Sequence, residues 1–125
     1  MLKTALAALL TVTLAATSVA QAPAKKGANG GTVVTSQGHP IEFVQRGEEI
    51  IFYLGDDDGS PLATKDVRNG RATIQDSGKT STVSLRPATP NLLIGKLQAP
   101  LGSKARVVFS ATLHDHALTA RYVTD

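Results

Sequence analysis

The stretch Glu48-Glu49-Ile50-Ile51-Phe52-Tyr53-Leu54 decides the fold. Successive side chains of an extended chain point to opposite sides, so Ile50, Phe52 and Leu54 share one face while Ile51 and Tyr53 share the other. β-Branched and aromatic residues suit such a pleated surface. Both faces are apolar, and the spacing predicts a strand in the interior of a sheet.

The same two-residue period recurs on either side of this run. Toward the C-terminus, Val107, Phe109, Ala111 and Leu113 alternate with Val108, Ser110 and Thr112. Leu118, Ala120 and Tyr122 then repeat the pattern. Toward the N-terminus, Ile41, Phe43 and Gln45 alternate with Glu42 and Val44, preceded by the β-branched segment Thr32 to Thr35. Ala72 and Ile74 form a further run, as do Ser81, Val83 and Leu85. Turn signals separate these runs: Gln37-Gly38, Arg46-Gly47, Asp58-Gly59, Asn69-Gly70, Ser77-Gly78, Pro87 to Pro90 and Gly102-Ser103. Glycine supplies positive φ there, Asn and Asp bond their own backbone, and proline fixes φ. Beyond the N-terminal segment no stretch has helical periodicity. The reading is all-β: an antiparallel β-sandwich, Ig-like or transthyretin-like, of about seven strands.

The chain has 125 residues, enough for one domain. Its start reads differently from the rest. Met1-Leu2-Lys3 is short and basic, Ala5 to Ala16 is apolar, and Ser18-Val19-Ala20 places small residues before a cut. The apolar run is interrupted by Thr11 and Thr13 and falls short of the about 20 residues a spanning helix needs. Residues 1–20 are therefore read as a cleaved signal peptide, with no membrane span after cleavage and the periplasm as destination. Residues 21–28, small and polar, are read as a flexible leader, and residues 29–125 as the single sandwich domain.

Composition removes several functions. Without cysteine there are no disulfides, thiolate metal sites or cysteine nucleophile. Met1 is the single methionine, which excludes a methionine-rich Cu(I) site. The formal charge is only +3, and the bases from Arg46 to Arg121 are scattered singly and form no basic stripe, which argues against nucleic acid. The sequence contains no nucleophile elbow, P-loop, zincin helix or dinucleotide fingerprint, so it is read as a non-enzyme.

The three histidines are the chemistry-bearing residues. His114-Asp115-His116 falls between the last two predicted strands, where two imidazoles either flank a turn or share one strand face. Nitrogen and carboxylate donors suit Cu(II) or Zn(II). The alternative is a polar hairpin turn that contains histidine. His39 has the parity of Ile41 and Phe43 and stands at the rim of the inward stripe, while Glu42 has the opposite parity. It is either a third ligand meeting the other two or a cap on a loop carbonyl. The candidate metal set is His39, His114 and His116, with Asp115 or Glu42 supplying a carboxylate. Asp56-Asp57-Asp58-Gly59 lacks the spacing of a calcium loop and is read as an acidic turn.

Two stretches together resemble known proteins. Gly27-Ala28-Asn29-Gly30-Gly31, followed by Gly38-His39-Pro40-Ile41-Glu42-Phe43-Val44, resembles the opening of small exported bacterial β-sandwich proteins and of domains attached to periplasmic adaptors of heavy-metal efflux systems. Tyr53-Leu54-Gly55-Asp56 and Gly59-Ser60-Pro61-Leu62 are similar to the strand and turn that follow in those sequences, and to transthyretin-like and carboxypeptidase-regulatory-like sandwiches. The resemblance implies a sandwich that binds or buffers a transition metal beside an efflux adaptor as envelope partner, and it singles out Asn29, Gly30, Gly31, His39 and Glu42. Pro40 departs from the pattern, which often has a polar residue or histidine there. The alternative function is a metal-free interaction or structural module of the cell envelope.

N-terminal sequencing of the exported protein is expected to read from Gln21; an intact mass that still includes Met1 overturns the signal-peptide assignment.

Overall fold

Ile50, Phe52 and Leu54 are fully buried and Ile51 nearly so, which makes their strand an inner one, hydrogen-bonded on both sides. The computed structural model describes residues 24–125. The expected signal peptide and residues 21–23 of the expected leader lie outside the described residues. Ten strands follow in order: β1 Lys25–Lys26, β2 Thr32–Ser36, β3 His39–Arg46, β4 Glu49–Leu54, β5 Val67–Asp76, β6 Lys79–Ser84, β7 Arg86–Ala88, β8 Leu92–Lys96, β9 Arg106–Leu113 and β10 His116–Val123. One 3-10 turn, Thr64–Asp66, precedes β5. Among the described residues no helix is long and apolar enough to cross a membrane.

All strand pairs are antiparallel and form two sheets, one ordered β1-β2-β3-β4-β8-β7 and the other β10-β9-β5-β6. The fold is the expected all-β sandwich. Two hairpins turn through residues that both have positive φ, Gln37-Gly38 (51° and 81°) and Ser77-Gly78 (50° and 78°). That backbone matches the right-handed twist of the strands it joins.

The sheets are joined by an aromatic cluster containing four of the chain's five aromatic rings. Phe43 and Phe52 are paired in register on the first sheet, with centroids 5.4 Å apart. Phe109 approaches Phe52 from the second sheet at 4.7 Å, and Tyr122 lies 5.1 Å from Phe43. The tilted geometries are those favoured by ring quadrupoles. Tyr122 also donates its hydroxyl to the Ile41 carbonyl at 2.7 Å, so its polar tip is satisfied inside the core.

Several elements differ from the sequence reading. β8 was not foreseen, although it pairs with β4 in the middle of the first sheet. Leu92-Leu93-Ile94 is a short continuous apolar run without visible alternation, between the proline-rich turn and Pro100. At Gly95 in β8 the side chains of Val83 and Leu85 press on the backbone: a Cβ there would lie 2.7 Å from a Leu85 methyl and 2.8 Å from a Val83 methyl. Asn69-Gly70, expected as a turn, is a bulge inside β5, where the register with β9 shifts between Arg68 and Arg71. Bulges tolerate the positive φ of Asn69 without ending the strand. Lys25 and Lys26, expected within a flexible leader, pair with Val33 and Thr32 as a sixth strand of the first sheet.

Burial, and next the charge of Glu42, hold the Tyr122 phenol above the ordinary tyrosine range. The neutral form is thus favoured by folding. Its contribution is complete below the unfolded value of about 10 and declines as pH rises beyond it. Tyr122→Phe is expected to cost about 1 kcal/mol near neutrality. That difference from wild type should shrink above about pH 10, as read by urea unfolding across the alkaline range. A pH-independent difference would contradict the assignment.

Candidate functional site

Glu42 is 5% exposed although it points away from the inward face that carries Ile41 and Phe43. The turn between β1 and β2 covers it. One carboxylate oxygen, Oε2, accepts the backbone N–H groups of Asn29 at 3.0 Å and Gly31 at 2.8 Å. Oε1 accepts the Asn29 side-chain amide at 3.0 Å. The turn closes on itself through Gly27 N–H to the Gly31 carbonyl at 2.8 Å. Gly27 passes so near the carboxylate that any Cβ would overlap it, and a Cβ on Gly31 would strike the Phe43 carbonyl. The two motif halves, Gly27 to Gly31 and Gly38 to Val44, are therefore one physical unit: a buried carboxylate and the backbone cradle that satisfies it. Burial of such a charge is tolerated because several N–H donors replace its water.

His39 opens β3 and is held by the loop that follows β4. Its Nδ1 lies 3.1 Å from the Gly55 carbonyl and 3.9 Å from Asp56 Oδ1. A carbonyl accepts and cannot donate, so in the neutral ring Nδ1 carries the proton and Nε2 keeps its lone pair. The loop itself is tightly bonded. Asp56 N–H donates to the Ser60 carbonyl at 2.7 Å, and Gly59 N–H to the Asp56 carbonyl at 2.9 Å. Asp58 accepts the Ser60 hydroxyl and, at 2.9 Å, its N–H. The hydroxyl, then the N–H, hold the Asp58 carboxyl below its usual range. Asp56, Asp57 and Asp58 bring carboxylate oxygens within 4.8 Å of one another, the one such acidic or histidine group among the described residues.

His114 and Asp115 form the turn joining β9 to β10, and His116, paired with Leu113, is the first residue of β10. His114 adopts a positive φ of 52°, which side-chain-bearing residues rarely take. All of these residues lie at the same end of the sandwich. Thr119 N–H of β10 donates to the hydroxyl of Ser36, the register partner of His39, at 3.0 Å. His116 is three residues further toward that end, roughly 10 Å along the strand. Ile41 pairs with Leu54, which leads into the aspartate loop, and Val67, next to Asp66, pairs with Leu113.

One end therefore carries all three histidines and Asp56, Asp57, Asp58, Asp66 and Asp115, half of the ten acidic residues. Arg46, Lys79, Lys96 and Arg106 stand toward the opposite end, with the β3–β4 and β5–β6 turns. The histidines share an end but not a ligand sphere, because His39, His114 and His116 do not fall within one 4.8 Å group. Glu42 is committed to the turn and is not grouped with them. His39 caps a loop carbonyl and keeps a free ring nitrogen, so both of its sequence-level readings describe part of the geometry. Sequence reasoning missed the role of Asn29 as the carboxylate's partner, and the apposition of Asp56 to His39. A lone carboxylate among Ile41, Phe43 and Val44 was the available signal for the first.

Comparison of the chain with protein-family models, curated proteins and solved structures gave no match.

Replacing Glu42 by Gln turns one acceptor into a donor facing N–H groups. Glu42→Gln is expected to destabilise the fold by about 2 kcal/mol or more, with faster amide exchange at Asn29 and Gly31. Unchanged exchange there would show that the carboxylate does not hold the turn.

Proposed function

We propose that this is an exported, non-enzymatic β-sandwich of the periplasm that captures a transition metal, Cu(II) or Zn(II), at its histidine-bearing end. The observation that carries this reading is the state of His39. Metal-ligating histidines almost always donate their second ring N–H to a carbonyl or carboxylate, which fixes the tautomer and the ring orientation. His39 makes that bond to Gly55, beside Asp56, and leaves Nε2 as a σ-donor.

Imidazole and carboxylate are the donors that borderline divalent metals accept. The His114-Asp115-His116 hairpin offers a second, exposed set at the same end, so capture is by ligands open to exchange and not by a closed structural site. Such a protein buffers and hands on its cargo. The resemblance to domains of heavy-metal efflux adaptors is in keeping with an envelope partner that receives the metal. Glu42 has no part in ligation in this reading.

The test is calorimetric titration of residues 21–125 with Cu(II) and with Zn(II) near neutral pH. Wild type is compared with His39→Ala and with the His114→Ala/His116→Ala double variant. Wild type should bind with micromolar affinity, and each variant should weaken binding at its own set by about tenfold or more. Imidazole must be neutral to ligate, so affinity should fall as pH drops below about 6. Heats that are absent, insensitive to both variants or flat with pH would refute metal capture by histidine.

A further inference from the structure

The sandwich is closed along one side and open along the other. On the closed side β2 and β10 are linked by the bond from Thr119 to Ser36. On the open side the edge strands are β6 of one sheet and β7 of the other. A groove of about 670 Å³ lies beside β6, between it and the end of β8 with the segment 97–101 that follows, and reaches β7 at Arg86. Val83 and Leu101 are half-buried on its walls, and Leu85 and Leu97 form more deeply buried parts.

The two edges are not equally protected. β7 is three residues long and contains Pro87, two devices that block pairing with a further chain. β6 has a charged residue at Lys79 only, next to its turn. Thr80-Ser81-Thr82-Val83-Ser84 then runs uncharged and largely exposed, with β-branched residues that favour strand pairing. Only β5 is bonded to it, so its outer row of N–H and C=O groups is available.

Charge identifies the occupant. Lys79, Arg86 and Lys96 rim the groove, and among the described residues none of the three has a carboxylate within ion-pair distance. Glu49, the register partner of Lys96, is outside that range. Asp76 is the one acidic residue on the rim, and its carboxylate already accepts Gly102 N–H at 3.0 Å and the Ser77 hydroxyl. The net rim is cationic over an apolar floor. Residues 1–23 of this chain contain no acidic side chain to match it. Pairing of β6 with β6 of a second copy, antiparallel, would set Lys79 of each against the Arg86 end of the other.

We propose that the β6 edge and its groove dock an extended acidic segment of a partner protein. The segment adds as a strand beside β6, with alternate apolar side chains entering the groove and carboxylates meeting Lys79, Arg86 and Lys96. Main-chain bonds supply affinity in this mode, and the alternate side chains supply specificity. The surface is remote from the histidine-bearing end, and the proposal does not depend on metal.

A fluorescently labelled peptide alternating valine and aspartate tests this by anisotropy, beside the same peptide with lysine for aspartate. The acidic peptide should bind the full chain and slow amide exchange at Thr80 to Ser84. The Arg86→Glu/Lys96→Glu variant changes two exposed residues, and circular dichroism checks that it stays folded. It should weaken binding by about tenfold or more, as should high salt. The inference is overturned by no binding, by equal binding of the lysine peptide, or by binding that leaves β6 exchange unchanged. It is equally overturned if sedimentation shows the wild-type chain pairing with itself through β6.

Discussion

The contact of Phe52 with Phe109 across the interior, at 4.7 Å, is what makes two sheets into one domain. Aromatic side chains bury more area than any others, and this chain has only five. Placing four of them in one layer concentrates the non-local apolar contact at the middle of the sandwich. Tyr122 extends that layer to the β2–β3 side and fixes its depth, because the hydroxyl must reach the Ile41 carbonyl. The sheets are thus held by ring packing and by directional bonds, the Tyr122 hydroxyl to Ile41 inside and Thr119 to Ser36 at the rim. The remaining core is aliphatic and fills the space these rings define, down to Gly95, where Val83 and Leu85 leave no room for a side chain.

One side of the sandwich is linked by the Thr119 to Ser36 bond, and on the other the chain passes from β6 to β7 through Leu85 alone, leaving both strands as sheet edges. The fold therefore has two inequivalent features besides its core. One is an end where hairpin and loop tips collect imidazoles and carboxylates. The other is a flank where an edge and a groove remain uncovered. They involve different residues: imidazoles and carboxylates on hairpin and loop tips at the end, a strand edge with a cationic rim at the flank. Neither needs the other for its geometry.

The parts of the fold legible in the sequence are those where burial follows parity. β4, β9 and β10 have one or both faces continuously apolar, and Ile50 through Leu54 announces an interior strand by itself. β8 was not legible, since Leu92-Leu93-Ile94, buried at Leu93 and half-buried on either side, lies between neighbours that only the register reveals. The Asn69-Gly70 bulge reads locally as a turn, and the outcome is decided by β9, whose Ser110 and Thr112 hold the strand on both sides of the interruption. At the candidate site the identities of the histidines were visible, but their common end was not. It depends on β10 lying beside β2, a pairing of elements more than eighty residues apart, as the bond from Thr119 to Ser36 spans 83 positions.

Glu42 shows why parity alone misjudges function. A carboxylate on the outward face of a strand normally meets water, and near a histidine it invites reading as a ligand. Here it meets Asn29 and Gly31 instead, and the glycines at 27 and 31 are the space it requires. The carboxylate makes a strand of Lys25 and Lys26, since a two-residue pairing has too few ladder bonds to stand unaided. The motif shared by His39 and Glu42 is thus, at its acidic member, a device for folding. At its imidazole member the ring is anchored through one nitrogen and free at the other. The same eight-residue strand carries both, and only the identity of each side chain's hydrogen-bond partner separates architecture from chemistry.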